Sequence, residues 1–309
     1  MNAVKREIIF KVPGSKVFIS DYYKNVKDSF LNISITGEKC DLNCPHCKTH
    51  LLKEMNFCPG PVQLENLIKE KSSTGKLKGF LISGGFDKKG KLALEDYFGC
   101  IRKIKNTIPR IKIYAHTGFV DEDEARKIKE SGIDIVLVNI IASMNAIETV
   151  YNLQGCCPED YYRTLANLRK AKNKTAPHII IGLDHGIIKS EFEAVKQVSK
   201  IGADCIVFVI VKKLSKEINF FESKNQPQEK AETASAEIIS LISYAQKIMP
   251  GIPISLGCAK PATKIRGQLE IGLLKIGINV IAFPDQETID YVFSENIPYR
   301  FEETCCAGI

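Results

Sequence analysis

The chain has 309 residues, 44% of them hydrophobic, with a formal net charge of +7 and a pI near 8.7. That length admits one large α/β barrel or two ordinary domains, and the apolar fraction supplies a sizeable core. No apolar run reaches bilayer length, the lysines are dispersed rather than blocked, and Trp is absent with no aromatic ladder, which argues against a membrane span and against a nucleic-acid partner.

In chain order, short aliphatic runs alternate with amphipathic segments. The runs are Leu31–Ile35, Gly79–Ile82, Ile111–Ala115, Ile135–Ile141, His178–Leu183, Cys205–Val211, Ile252–Leu256 and Asn279–Phe283. Between and after them, Val62–Lys71, Leu94–Asn106, Glu122–Ser131, Pro158–Lys172, Glu191–Ile201, Lys230–Ile248, Thr263–Ile276 and Glu287–Glu295 place apolar residues near helical spacing. Gly132, Gly202 and Gly277 follow helical segments where a left-handed cap is expected. The polar stretch from Lys212 to Lys230 reads as a long loop. Eight β–α units in series predict a (β/α)8 barrel, complete or nearly complete, rather than an open doubly wound sheet. The expected organisation is an N-terminal extension over 1–30, the barrel over 31–295, and a cysteine-bearing tail over 296–309 that returns toward the barrel mouth.

The first run leads straight into Cys40-Asp-Leu-Asn-Cys44-Pro-His-Cys47. Three thiols in C-x3-C-x2-C spacing can hold three irons of a [4Fe–4S] cube and leave the fourth open. A zinc knuckle is the competing reading, with His46 as a fourth ligand in a cramped loop. A disulfide framework fits worse: there is no signal-peptide pattern, and eleven cysteines cannot all pair, which also points to a cytoplasmic protein. Barrel chemistry sits at the C-terminal ends of strands, where this loop falls.

Other unusual residues fall on the same face. Leu81-Ile82-Ser83-Gly84-Gly85 ends the second run, where two glycines let a ligand reach bare backbone or simply make a turn. His116 ends the third run, either as a hydrogen-bonded barrel-top residue or as a cofactor contact. Asn139 interrupts the fourth aliphatic run and needs a polar partner, such as a ligand hydroxyl. Gly182 can let a flat ring pack on the fifth strand, and Asp184 and His185 follow as polar contacts or as solvated loop. Cys100 and Cys205 read as core thiols. Cys258, in Ser255-Leu256-Gly257-Cys258, lies on the active face, and an extended stretch over Ile297–Phe301 can bring Cys305 and Cys306 back toward it. These three are candidate ligands of a second cluster; the alternative is a core Cys258 and a loose tail with exposed thiols. The adjacent Cys156 and Cys157 are a weaker candidate for a further ligand, and Cys58 has no assigned role.

Cys40, Cys44 and Cys47 after a first barrel strand, with Ser83-Gly84-Gly85 after the second, resemble the radical S-adenosylmethionine (SAM) superfamily over roughly residues 31 to 295. The resemblance implies that SAM chelates the open iron through its methionyl amine and carboxylate. One electron then cleaves its C5′–S bond, and the resulting 5′-deoxyadenosyl radical abstracts an unactivated hydrogen. It implies that Ser83, Gly84 and Gly85 contact the methionyl amine and that Asn139 and the Gly182 region lie toward ribose and adenine, with His116 and Asp184 as further candidate cofactor contacts. His46 stands where the superfamily usually has an aromatic ring. Val150-Tyr151-Asn152-Leu153, followed by Tyr161–Leu168, is similar to biotin synthase. Ser255-Leu256-Gly257-Cys258 with the Cys305-Cys306 pair looks closest to one subunit of the two-component lipoyl synthases, although Lys260 stands where an Arg is expected. That branch implies a sulfurtransferase of lipoate biosynthesis, an auxiliary iron–sulfur cluster as sulfur donor, a second radical SAM subunit, an octanoylated carrier domain and a reducing electron donor. The alternatives are radical SAM chemistry for another cofactor, as in biotin synthase, and a non-catalytic iron–sulfur scaffold or electron-transfer subunit.

Overall fold

The aliphatic runs become strands because β-branched residues pack well on a pleat that is covered on both faces, and they pair in parallel because a helix separates each from the next. A computed structural model describes residues 6–211, 228–260 and 265–308. In chain order the elements are β1 (Ile8–Lys11), β2 (Phe30–Ser34), α1 (His50–Lys53), β3 (Asn56–Phe57), α2 (Pro61–Ser72), β4 (Gly79–Ser83), α3 (Phe98–Thr107), β5 (Lys112–His116), α4 (Glu122–Ser131), β6 (Ile135–Asn139) and α5 (Met144–Thr149). They continue with α6 (Pro158–Lys170), β7 (Thr175–Ile181), α7 (Ser190–Ile201), β8 (Ile206–Ile210), α8 (Gln228–Ile248), β9 (Ile254–Leu256), α9 (Arg266–Lys275), β10 (Val280–Ala282), α10 (Gln286–Ser294) and β11 (Tyr299–Glu302). Local signals set the helix ends. Asp121 caps α4 by accepting from the Glu124 N–H at 2.9 Å, and Gly132 ends it at φ 88°. Most of the Lys212–Lys230 loop, and the Thr263 end of the segment before α9, lie outside the described residues.

All eight expected runs appear as strands, but the sheet has eleven, in the order β11-β1-β10-β9-β8-β7-β6-β5-β4-β2-β3. Every pairing of named strands is parallel, for example Ile33↔Ile82 and Ile9↔Val280. This corrects the complete (β/α)8 barrel to a curled, open parallel sheet. Two strands come from the segments read as extension and tail: β1 pairs with β10 on one side and β11 on the other. Among the described residues no ladder joins β11 to β2. Side chains bridge that seam instead. The buried Glu303 carboxylate accepts from the Tyr23 hydroxyl at 2.8 Å and the Val26 N–H at 2.9 Å, and pairs with Lys78 at 3.1 Å.

Strand alternation sends Leu31, Ile33, Ile179, Ile181, Phe208 and Ile210 into the large core beneath the helices. Facing the other way, Phe30, Tyr114, Leu137, Ala176, Val207 and Ala282 form a second cluster inside the curl. Residues 303–308 turn into that interior, and Cys305, Cys306 and Ala307 are buried there. Lys11 holds them. It is 1% exposed, and its ammonium donates to Glu302, to Thr304 at 3.2 Å and to the Gly308 carbonyl. The tail therefore fills the interior rather than resting at the mouth. Lys11→Ala is expected to lower stability by about 1–3 kcal/mol, the cost of stranding buried hydrogen-bonding groups. It should also expose the tail to carboxypeptidase, read as mass loss from the native protein.

Candidate functional site

The cysteine loop leaves β2 at the C-terminal end of the sheet and leans on the end of β4. The Ile35 N–H donates to the Ser83 carbonyl at 2.9 Å, the Gly85 N–H to Thr36 Oγ1 at 2.7 Å, and the Asp41 N–H to the Phe86 carbonyl at 2.9 Å. A methyl group on Gly85 would overlap the Lys39 carbonyl and lie 2.5 Å from Cβ of Cys40; on Gly84 it would lie 2.9 Å from Leu92 Cδ1 and 3.0 Å from Thr36 Oγ1. The two glycines are thus required by the close approach of loop to strand. Within the loop, the N–H groups of Cys47 and Lys48 both donate to the Cys44 carbonyl, at 3.0 and 2.8 Å. Asn43, Lys48 and Thr49 are left-handed (φ 44°, 44° and 59°). For a β-branched residue such as Thr49 that conformation is strained, and strain of this kind gathers at functional sites.

A second clamp comes from the loop after α5. Asn152, itself left-handed, donates from Nδ2 to the Leu42 carbonyl at 2.6 Å. The Cys44 thiol lies 3.9 Å from the Tyr151 carbonyl, and the Tyr151 and His46 rings are 5.4 Å apart. Sequence reading noted Tyr151-Asn152 only as part of a resemblance; an Asn just past a helix end was the available sign of a left-handed turn.

Cys40, Cys44 and Cys47 are all free thiols, Cys44 buried and the other two half-buried. Burial, and then the neighbouring Cys40 and Cys47, push the Cys44 thiol up to about 12, so metal loading must displace its proton. Burial lowers His46 to about 4, leaving it neutral, and its Nδ1 is buried without a partner. Among the described residues, no three His, Cys, Asp or Glu side chains converge as one metal ion needs. A [4Fe–4S] cube asks for something wider, one thiolate at each of three corners, and an all-thiol donor set suits it. The residues present fit that group.

The other predicted residues are placed as follows. His116 and Asn139 meet, with Nε2 and Oδ1 3.2 Å apart, and Asn139 donates from Nδ2 to the Tyr151 hydroxyl at 2.9 Å. Asn139 thus already has protein partners and links β5, β6 and the clamp. His178, which was read only as the start of the fifth run, stacks edge-on to His116 at 5.7 Å and has its Nδ1 2.9 Å from the Ala176 carbonyl. Burial depresses both imidazoles, His178 to about 3. Gly182 (φ 78°) donates its N–H to the buried Glu191 carboxylate at 2.8 Å. Asp184 accepts from Ser143 Oγ at 2.6 Å and Asn145 Nδ2 at 2.7 Å, which ties two top loops together. His185 is exposed and lies 3.3 Å from the Thr149 hydroxyl.

Cys258 follows β9 and is exposed. Its thiol is in hydrogen-bonding contact with Cys306, which is in turn in contact with Cys305. Lys260 is buried against the fully buried Glu270 at 2.6 Å, and Arg266 reaches the same carboxylate at 3.0 Å. Cys205 stays in the core, 3.4 Å from the Ala307 carbonyl.

Gly85→Ala should cost about 1–3 kcal/mol by overpacking and should displace the cysteine loop. The expected readout is loss of most bound iron after anaerobic reconstitution, with the far-ultraviolet circular dichroism unchanged.

Comparison with known proteins agrees with this geometry. Residues 34–197, more than half of the chain, match the sequence model of the radical SAM superfamily. Among curated proteins, none matches the sequence. Among solved structures, the [FeFe]-hydrogenase maturase HydG superposes with a TM-score of 0.60 at 11% identity, over 96% of this chain and 65% of that one. Methylornithine synthase PylB gives 0.56 at 14% identity, over 93% and 85%. SuiB from Streptococcus suis, bound to S-adenosylmethionine, gives 0.51 at 12% identity, over 74% and 50%. The chain thus spans about two thirds of HydG and half of SuiB, and at these identities the likenesses speak for the fold alone. No helix among the described residues is long and apolar enough to cross a membrane. By its sequence match and the sheet that carries it, the chain belongs to the radical SAM superfamily.

Proposed function

We propose that this radical SAM enzyme inserts sulfur at unactivated carbons, as one subunit of a two-component lipoyl synthase acting on an octanoyl chain borne by a small carrier domain. The observation that carries the reading is the meeting of Cys258 with Cys306 and Cys305 inside the curl of the sheet. Three thiols brought together from β9 and the tail are a second all-sulfur donor set, suited to an auxiliary iron–sulfur cluster that gives up sulfur.

Cys40, Cys44 and Cys47 would hold the SAM-binding [4Fe–4S] cluster. When bound, that cluster and SAM together supply reductive cleavage of a C–S bond and a carbon radical strong enough to take an unactivated hydrogen. The chain's own residues position and shield. Ser83, Gly84 and Gly85 hold the cysteine loop against β4 and would present backbone to the methionyl end. The His116–Asn139–Tyr151 chain fixes the floor beneath, and the neutral His178 ring packs against it. Residues 303–308 occupy the interior below, so water is excluded from that side. Electrons would come from a reducing donor protein, and the second carbon would be served by a second radical SAM subunit.

Anaerobic protein with dithionite and SAM should release 5′-deoxyadenosine. With an octanoylated carrier peptide and the second subunit, it should give a mass gain corresponding to sulfur. An intact cluster with no 5′-deoxyadenosine would favour the scaffold reading, whereas 5′-deoxyadenosine without sulfur insertion would remove the lipoyl reading. Iron and sulfide counts give an independent check: Cys258→Ala should fall from two clusters to one. An unchanged count would return Cys258 to the role of a structural thiol.

A further inference from the structure

α5 has only six residues, Met144–Thr149, too few for a helix to hold itself by its own backbone bonds. It is fastened at both ends instead. Ser143 caps its start by accepting from the Ala146 N–H at 3.1 Å, and the same hydroxyl donates to Asp184 Oδ2 at 2.6 Å. Asn145 Nδ2 donates to the other oxygen, Asp184 Oδ1, at 2.7 Å. Both oxygens of one carboxylate therefore grip the first turn through charge-assisted bonds. At the far end the Tyr151 N–H donates to the Ala146 carbonyl at 3.0 Å and the Leu153 N–H to the Ile147 carbonyl at 3.1 Å. The helix thus runs directly into the clamp, where Asn152 Nδ2 reaches the Leu42 carbonyl at 2.6 Å and the Tyr151 hydroxyl accepts from Asn139 at 2.9 Å.

The post that α5 hangs from is itself rigid. Gly182, His185 and Gly186 are all left-handed (φ 78°, 48° and 91°), and the Gly186 N–H closes the turn on the Gly182 carbonyl at 3.0 Å. The buried Glu191 accepts from the Gly182 N–H at 2.8 Å with one oxygen and from the Lys189 N–H at 3.1 Å with the other. Both ends of the loop between β7 and α7 are tied to the start of α7 in this way, which fixes the backbone that carries Asp184.

The geometry points to Asp184 as a positioning residue for the cysteine loop, acting through α5. The path is continuous: Asp184, Ser143 and Asn145, the α5 backbone, Asn152, Leu42. Energetic coupling travels through such packed, hydrogen-bonded elements. Leu42 stands between Cys40 and Cys44, so freedom at its carbonyl is freedom in the spacing of two thiols. The bearing on iron rests on the assignment of Cys40, Cys44 and Cys47 as cluster ligands.

The test reads hydrogen exchange across residues 40–48 by mass spectrometry, and iron release to a chelator, on anaerobically reconstituted protein. The variants are Asp184→Ala, Asp184→Asn, Asn152→Gly, the double variant Asp184→Ala with Asn152→Gly, and Asp134→Asn. Glycine at 152 removes the amide donor and suits the left-handed backbone. Asp134 is the control: it lies before β6, at the opposite end of the sheet, and its carboxylate accepts from the Ile113 N–H and from Lys105, both at 2.7 Å. Asp184→Ala is expected to speed exchange of 40–48 and iron release about tenfold, the factor that loss of one hydrogen bond to a charged group carries. Asp184→Asn keeps one acceptor oxygen and should have a smaller effect; it serves if the alanine variant fails to fold. The double variant should match Asn152→Gly alone, because the path is already cut, and Asp134→Asn should leave both rates in place. Unchanged exchange of 40–48 in folded Asp184 variants overturns the inference. So does equal acceleration in Asp134→Asn, or effects that multiply in the double variant. A wild type that binds no [4Fe–4S] cluster overturns the ligand assignment, and the exchange rates then still decide whether Asp184 holds the loop.

Discussion

The cysteine loop has almost no regular structure of its own, so its shape depends on what it can lean on. That support is the close approach of its backbone to Gly84 and Gly85 at the end of β4, where even a methyl group would collide. The contact brings the loop over the sheet end, and the N–H donations to Thr36, Ser83 and Phe86 keep it there. Asn152 holds the loop from the other side through the Leu42 carbonyl. A ligand loop gripped at two points can carry left-handed residues such as Lys48 and Thr49 that would otherwise relax.

The interior beneath is built in layers. Tyr114 and His116 are two residues apart on one face of β5, so their side chains stack along the strand. The lower layer packs against Cys305, Cys306 and Ala307; the upper one joins Asn139, Tyr151 and His178. In a closed barrel, strand side chains alone fill the middle. Here small residues, Ala176 and Ala282 among them, leave room that the segment after β11 occupies, and Lys11 ties it down. Cys258 meets the inserted segment at Cys306, which joins the end of β9 to the interior.

Much of this was legible from local signals. The eight aliphatic runs, the helical periods between them and the thiol spacing all reflect forces that act over a few residues. The open sheet was not legible, because whether β11 pairs with β2 depends on residues almost the whole chain apart. Ile8–Lys11 is too short to stand out as a strand until β10 and β11 flank it. The polar residue within Ile135–Ile141 was rightly read as needing a partner, but sequence alone could not choose between a ligand and the His116 and Tyr151 that Asn139 meets. Asp184 is a similar case: its carboxylate is engaged by Ser143 and Asn145, residues some forty positions away.

The paired imidazoles of His116 and His178 have a consequence for what can come to rest above the tail. Both are held neutral by burial, and the two rings meet edge to face. An ion entering that layer would lose its hydration and find no counter-charge on either ring, whereas a string of methylene groups would give up nothing it values. The layer of the two rings is therefore suited to an uncharged part of whatever reaches it.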